Sequence, residues 1–221
     1  MSRRAWLALC SIVVLTIAAI ATPPLREYVY FERSLASAEE EAQANAGNWP
    51  RLSDSCTNCH GRNGDSVNQA YADLASQPAH YVAAQLHAFA EGRRNSPFMT
   101  PLASSLSDGE IQRVSEYFSR QPATDNDAFV PDPVSRARGE TLASGCVACH
   151  GERLMGDGTR PRLAGQGYDY LIAQMGAFAD NTRRDPSGAM NTLAASLSTD
   201  DRRALSAYVA SYPVMKRDGV R

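Results

Sequence analysis

Lysine is almost missing from this chain: of 22 basic residues only Lys216 is a lysine, the rest being arginine. That bias reads as one of coding, not chemistry. Neither sign of charge dominates, and the formal net charge of −2 leaves no basic footprint for nucleic acid. Strand signals are equally scarce. No alternating apolar pair and no βαβ pattern can be found, which excludes a thioredoxin-like domain and leaves an all-α reading. Cysteine is limited to five, and four of these stand in Cys56-Thr57-Asn58-Cys59-His60 and Cys146-Val147-Ala148-Cys149-His150. The fifth, Cys10, lies in an N-terminal apolar run, so nothing remains for a structural disulfide.

What is present is therefore one pentapeptide pattern used twice. Cys-x-x-Cys-His is the attachment signature for c-type haem. Thiols at i and i+3 lie on one face of a helical turn and reach the same porphyrin edge. The adjacent histidine then binds iron. A zinc site would need its cysteine pairs about 15–20 residues apart, whereas 86 residues lie between Cys59 and Cys146. Neither zinc nor a redox dithiol explains a histidine after both pairs. The expectation is two covalent haems, one on Cys56 and Cys59 with His60 on the iron, the other on Cys146 and Cys149 with His150.

The similarity between the halves runs past these motifs. Leu74, Tyr81, Gln85 and Phe89 match Leu163, Tyr170, Gln174 and Phe178 at an offset of 89. Arg93 and Arg94 match Arg183 and Arg184 at 90, and Met99, Leu102, Ala103, Ser105, Leu106 and Ser107 match Met190, Leu193, Ala194, Ser196, Leu197 and Ser198 at 91. Residues 79–91 and 168–180 carry apolar side chains at helical spacing. Ser107-x-x-Glu110 is a capping box and Ser198-x-x-Asp201 a weaker one, each opening a last helix that carries Tyr117 or Tyr208 into the core. Two all-α domains result, residues 47–121 and 134–221, joined by a proline- and aspartate-rich linker at 122–133 too polar for core. Domains this small sit near the lower limit for an independent core, and a buried haem supplies the missing volume. Residues 46–121 carry six basic and seven acidic side chains, residues 134–221 twelve and nine. Scattered surface charge explains this as well as partner steering does.

Arg3 and Arg4 precede an uncharged run from Ala5 to Leu25, which reads as an export signal. The helix-compatible stretch, residues 5–22, spans about 27 Å at 1.5 Å per residue, enough for a bilayer. Residues 1–24 are expected to stay as an apolar membrane-anchor helix, with cleavage after Ala19-Ile20-Ala21 as the alternative. Residues 25–46 form a polar, helix-prone connector that serves either as a stalk or as a mature N-terminal tail.

The second axial position separates electron transfer from catalysis. A methionine thioether opposite histidine raises the haem potential and closes the site. Met99 follows His60 by 39 residues and Met190 follows His150 by 40, in matching Pro/Gly-containing loops that core packing explains poorly. His80 and His87 face Asp169 and Gly176 in the repeat and so are no ligands, and Met175, opposite Leu86, marks core. One arginine of each pair, Arg93/Arg94 or Arg183/Arg184, is a candidate for a haem propionate, the alternative being a solvated helix C-terminus.

With both haem motifs, both methionines, the repeat and the segment Pro161-Arg162-Leu163-Ala164-Gly165-Gln166, the chain resembles a dihaem cytochrome c of the cytochrome c4 type over residues 47–213. The first copy's counterpart of that segment, Tyr71 to Gln77, is degenerate, and Pro50 departs from the first helix such domains have. The resemblance implies two tandem class I cytochrome c folds facing each other. It implies an exported carrier, on the periplasmic side of the bacterial inner membrane, taking electrons from a quinol-oxidising cytochrome bc complex to a terminal haem–copper oxidase. Such a carrier needs no small-molecule substrate. Two other functions compete: an electron-accepting subunit of a periplasmic dehydrogenase, with the same haem chemistry, and a dihaem peroxidase, which the paired methionines oppose.

Overall fold

The computed structural model describes residues 3, 6, 28–36 and 52–214. Among them every regular element is helical apart from one isolated bridge between Asp157 and Arg160. The chain divides into two compact units, Met1–Trp49 and Pro50–Arg221. In the first, residues 28–36 are helical and expose Tyr28, Val29, Tyr30, Phe31 and Leu35, a more apolar stretch than the polar connector expected. The apolar run 5–22 with Cys10, apart from Trp6, lies outside the described residues, as does Pro50. None of the described helices is long and apolar enough to cross a membrane.

The second unit holds both copies of the repeat. The first lobe contains α1 (Asp54–His60), α2 (Ala79–Ala90), α3 (Met99–Ser104) and α4 (Asp108–Arg120). The second contains α5 (Pro133–Ala143), α6 (Val147–His150), α7 (Tyr168–Ala179), α8 (Ala189–Ser196) and α9 (Thr199–Ala210). Their ends obey capping chemistry. Ser107 and Glu110 form the reciprocal box that opens α4, the Ser107 amide donating to Glu110 Oε2 at 2.8 Å. Ser198 Oγ accepts from the Asp201 amide at 3.1 Å to open α9. Asp132 caps α5 by accepting from the Ser135 amide at 2.8 Å, with Pro133 supplying a preset φ at the first turn.

Within the first lobe α2 packs on α3 and α4, burying Val82, Leu86 and Phe89 against Ile111, Val114, Tyr117 and Phe118. In the second, α9 crosses α5 closely and also packs on α7. Gly139 makes the first crossing possible, because a Cβ there would sit 2.1 Å from the Ala204 carbonyl oxygen. Tyr117 is buried as expected, while Tyr208 is half-buried and meets Tyr212 edge-on.

The linker, expected to be too polar for core, differs in part. Ala123 is buried and joins Ala75 of the first lobe in the second lobe's hydrophobic core. Asn126 Nδ2 donates to Gln69 Oε1 at 2.9 Å, and Gln69 Nε2 returns a bond to Asn126 Oδ1 at 2.9 Å. Asp125 Oδ1 accepts from the Val214 amide at 2.6 Å, and Thr124 Oγ1 donates to Asp65. The polar side chains find partners across both lobes, so polarity did not keep this segment out of the fold.

Candidate haem sites and the seam between them

Each haem motif folds as one short helical turn that ends at its histidine. Gly61 and Gly151 follow immediately with φ of 78° and 81° and extended ψ, a region open almost only to glycine. At Gly61 a Cβ would stand 2.0 Å from the Asp65 carbonyl oxygen, so the chain folds back directly after the motif. That return places a backbone carbonyl against each imidazole. His60 Nδ1 lies 2.7 Å from Ala72 O, and His150 Nδ1 lies 2.9 Å from Pro161 O. A carbonyl only accepts, so Nδ1 carries the proton and Nε2 is left with its lone pair for a metal. Burial lowers the pKa of both histidines, which keeps them neutral.

The thiols fit haem and not the competing chemistries. Cys56, Cys59, Cys146 and Cys149 are all free, with no disulfide in either pair. Burial pushes the Cys56 and Cys146 thiols up, the opposite of an activated redox dithiol. Among the described residues no group of three or more His, Cys, Asp or Glu side chains gathers to hold a bare metal ion. The donor set is thus a thiol pair and a neutral, oriented imidazole, which suits an iron porphyrin that brings its own four nitrogens.

Met99 and Met190 are half-buried, and they stand in helices and not in the loops expected. Met99 is the first residue of α3 and Met190 the second of α8. The residue after each ties the preceding turn down. Thr100 Oγ1 accepts from the Ser96 amide at 3.2 Å. Asn191 Nδ2 donates to Phe178 O at 2.9 Å and Arg183 O at 2.8 Å. His80 is exposed and His87 half-buried, its Nδ1 4.0 Å from Asp108, while Met175 is core.

Of the paired arginines Arg93 and Arg184 are exposed, as a solvated helix end requires, and one of each pair turns inward. Arg94 and Arg183 cross the seam between the lobes. Arg94 donates to Gln85 Oε1 at 3.0 Å, to Tyr170 Oη at 3.1 Å and to Gln174 Oε1 at 2.8 Å. Arg183 donates to Gln174 Oε1 at 2.8 Å, to Tyr81 Oη at 3.0 Å and to Gln85 Oε1 at 2.9 Å. Each guanidinium also lies 4.5 Å from a ring centroid, Phe89 or Phe178. The equivalent of Arg94 is therefore Arg183, at the offset of 89 shared by the tyrosines, glutamines and phenylalanines, and the offset of 90 is corrected.

A second set of contacts closes the same seam beside the histidines. Gln77 and Gln166, also 89 apart, are both 3% exposed. Gln77 Oε1 accepts from the Arg162 amide at 3.0 Å and Gln77 Nε2 donates to Arg162 O at 2.9 Å. Gln166 does the same for Asp73, accepting from its amide at 2.6 Å and donating to its carbonyl at 3.1 Å. Asp73 and Arg162 are the residues that follow the carbonyls holding the two histidines. Arg162 is 1% exposed, and its Nε donates to Ala75 O at 3.1 Å. The sequence reading missed this clamp. Its one signal was the survival of Gln77 as Gln166 at the dominant repeat offset, beside Leu74/Leu163 and Ala75/Ala164 in a segment that otherwise differs.

Comparison with known proteins agrees with this architecture. Residues 136–213 match the Cytochrome c family model. A thiosulfate dehydrogenase electron acceptor from Thiomonas intermedia (strain K12) is 32% identical over 207 residues, covering 86% of this chain and 95% of that protein. Cytochrome c4 from Pseudomonas aeruginosa is 32% identical over 167 residues, covering 70% and 82%. The crystal structure of reduced recombinant cytochrome c4 from Pseudomonas stutzeri superposes with a TM-score of 0.69 at 27% identity, covering 78% of this chain and 97% of that one.

Proposed function

Since this chain belongs to the dihaem c-type cytochromes of the cytochrome c4 type, we propose that it is an exported two-centre relay whose electrons leave for a terminal haem–copper oxidase. It is an electron carrier and not an enzyme, built as two tandem class I cytochrome c folds with c-type haem. The haem supplies a one-electron couple, and everything else is the work of the chain's residues. Cys56 and Cys59, and Cys146 and Cys149, fix the two groups covalently. His60 and His150 would hold the irons through Nε2, since the Ala72 and Pro161 carbonyls hold each ring at Nδ1. Met99 and Met190 would complete the hold on the two irons, so that no small molecule needs to bind. Residues 5–22 tether the carrier to the membrane.

The observation that carries the reading is the paired, carbonyl-oriented histidine behind each Cys-x-x-Cys motif. Two donors suit such a relay. A quinol-oxidising cytochrome bc complex is the first. The second is a dehydrogenase that oxidises thiosulfate, and one observation favours it. The likeness to the Thiomonas acceptor covers 86% of this chain, and residues 50–221 make up less than four-fifths of it. That match therefore reaches into the N-terminal unit, and a second thiosulfate dehydrogenase electron acceptor, from Stutzerimonas stutzeri, is 36% identical over 170 residues, against 32% for Pseudomonas aeruginosa cytochrome c4. Stopped-flow reduction of the oxidised full-length protein decides between them. Fast reduction by thiosulfate with a thiosulfate dehydrogenase, faster than by quinol with a bc complex, supports the second donor, and the reverse order the first. Slow reduction by both overturns the relay reading.

A further inference from the structure

We propose that Gln77 completes a hydrogen-bonded route for electron transfer between the two proximal histidines. The inference rests on His60 and His150 as the iron ligands. From the first lobe the route runs from His60 Nδ1 to Ala72 O at 2.7 Å, through the peptide bond to Asp73, and out at the Asp73 carbonyl. Gln77 Nε2 stands 3.3 Å from that oxygen and 2.9 Å from the Arg162 carbonyl of the other lobe. From Arg162 the backbone leads back to Pro161, whose carbonyl holds His150 Nδ1 at 2.9 Å. A single amide nitrogen thus bridges the chain segment behind one histidine to the segment behind the other.

Three features separate this from a simple clamp. The crossing between the lobes is dry: Gln77 is 3%, Asp73 6% and Arg162 1% exposed. It is made of covalent and hydrogen bonds throughout, which couple redox centres better than van der Waals gaps do. And it is not duplicated by the repeat. Gln166 grips Asp73 as Gln77 grips Arg162, but it returns to His150 along its own backbone from residue 166 to residue 161, and a further bonded crossing, Arg162 Nε to Ala75 O at 3.1 Å, runs through three more residues of backbone and the whole arginine side chain. The two glutamines therefore match in burial and in the bonds they make to the opposite lobe, and differ in whether they span the histidines. The step moves one electron: one centre is oxidised, the other reduced, and no bond breaks and no proton moves.

That difference supplies the test. One centre of the oxidised holoprotein is photoreduced, and redistribution of the electron between the two haems is timed in the wild type, Gln77→Met and Gln166→Met. Potentials of both centres are titrated in each, so rates compare at known driving force. Haem content and iron ligation of the wild type are recorded first, since fewer than two haems, or a centre without a histidine ligand, would refute the ligand reading and not this one. Gln77→Met is expected to slow redistribution severalfold while Gln166→Met stays near the wild-type rate. Equal slowing in both, the mark of a loosened seam, overturns the route, as does an unchanged rate in Gln77→Met. Should Gln77→Met yield no folded holoprotein, Gln77→Asn, one methylene shorter, is read against the same two outcomes.

Discussion

Replacing Arg94 and Arg183 singly and together with methionine should reveal strong coupling between them. In the intact seam each glutamine oxygen accepts from both guanidiniums, Gln85 Oε1 at 3.0 and 2.9 Å and Gln174 Oε1 at 2.8 and 2.8 Å. Removing Arg183 alone leaves both oxygens bonded to Arg94, and only Tyr81 loses its donor. A single substitution also relieves repulsion between two like charges. Each should cost about 1–2 kcal/mol, the net worth of charge-assisted bonds whose acceptors stay satisfied. The double variant orphans both glutamine oxygens, at about 1 kcal/mol or more each. It should therefore cost about 2 kcal/mol more than the sum of the singles. Urea unfolding of the four proteins, followed by far-UV circular dichroism, measures the cycle. Additivity within about 0.5 kcal/mol would refute the shared-acceptor account.

Three further outcomes follow from the seam, the crossing and the haem faces. Burial raises the pKa of Asp73 from 3.8 to about 6, against the Ser66 amide and Arg162, which lower it. A carboxyl whose folded pKa is raised contributes stability that is fully present below the unfolded value and is lost as pH rises through 6. Wild type should gain roughly 2 kcal/mol between pH 7 and pH 4.5 from this group, and urea titrations of Asp73→Asn at both pH values should show that gain removed. Gly139→Ala drives a Cβ to 2.1 Å from Ala204 O, and should destabilise the protein by about 2 kcal/mol or more in the same assay. Met99→Ala should lower the potential of the first haem and open its iron, and Met190→Ala the second; redox titration with cyanide binding checks both, and an unchanged potential would remove that methionine from the ligand set.

Much of this site is readable in the chain because its chemistry is local. The thiol pairs and their histidines are neighbours in sequence, and Ser107 with Glu110 needs only one helical turn. Repetition marks the methionines as candidates but does not place them, since the apparent loops are helix starts, with Met99 first in α3 and Met190 second in α8. The arginines show a different limit. The dipeptides Arg93-Arg94 and Arg183-Arg184 match best by letter at an offset of 90, whereas the seam pairs Arg94 with Arg183 and puts both inserted residues between Arg183 and Met190. Letters alone do not say which guanidinium reaches the opposite lobe. Gln77 and Gln166 are harder still, because a buried amide that grips a partner backbone looks in sequence like any surface glutamine. The linker misled for the same reason: Asp125 and Asn126 are polar but satisfied inside the fold.

The central claim is a closed two-centre carrier, and its most direct test is the absorption spectrum of the purified protein with haem quantified per chain. The account predicts two haems and a far-red sulfur-to-iron band of the strength that two methionine-ligated centres give. Two haems with half that band would mean that one iron is open or otherwise ligated, and would contradict it.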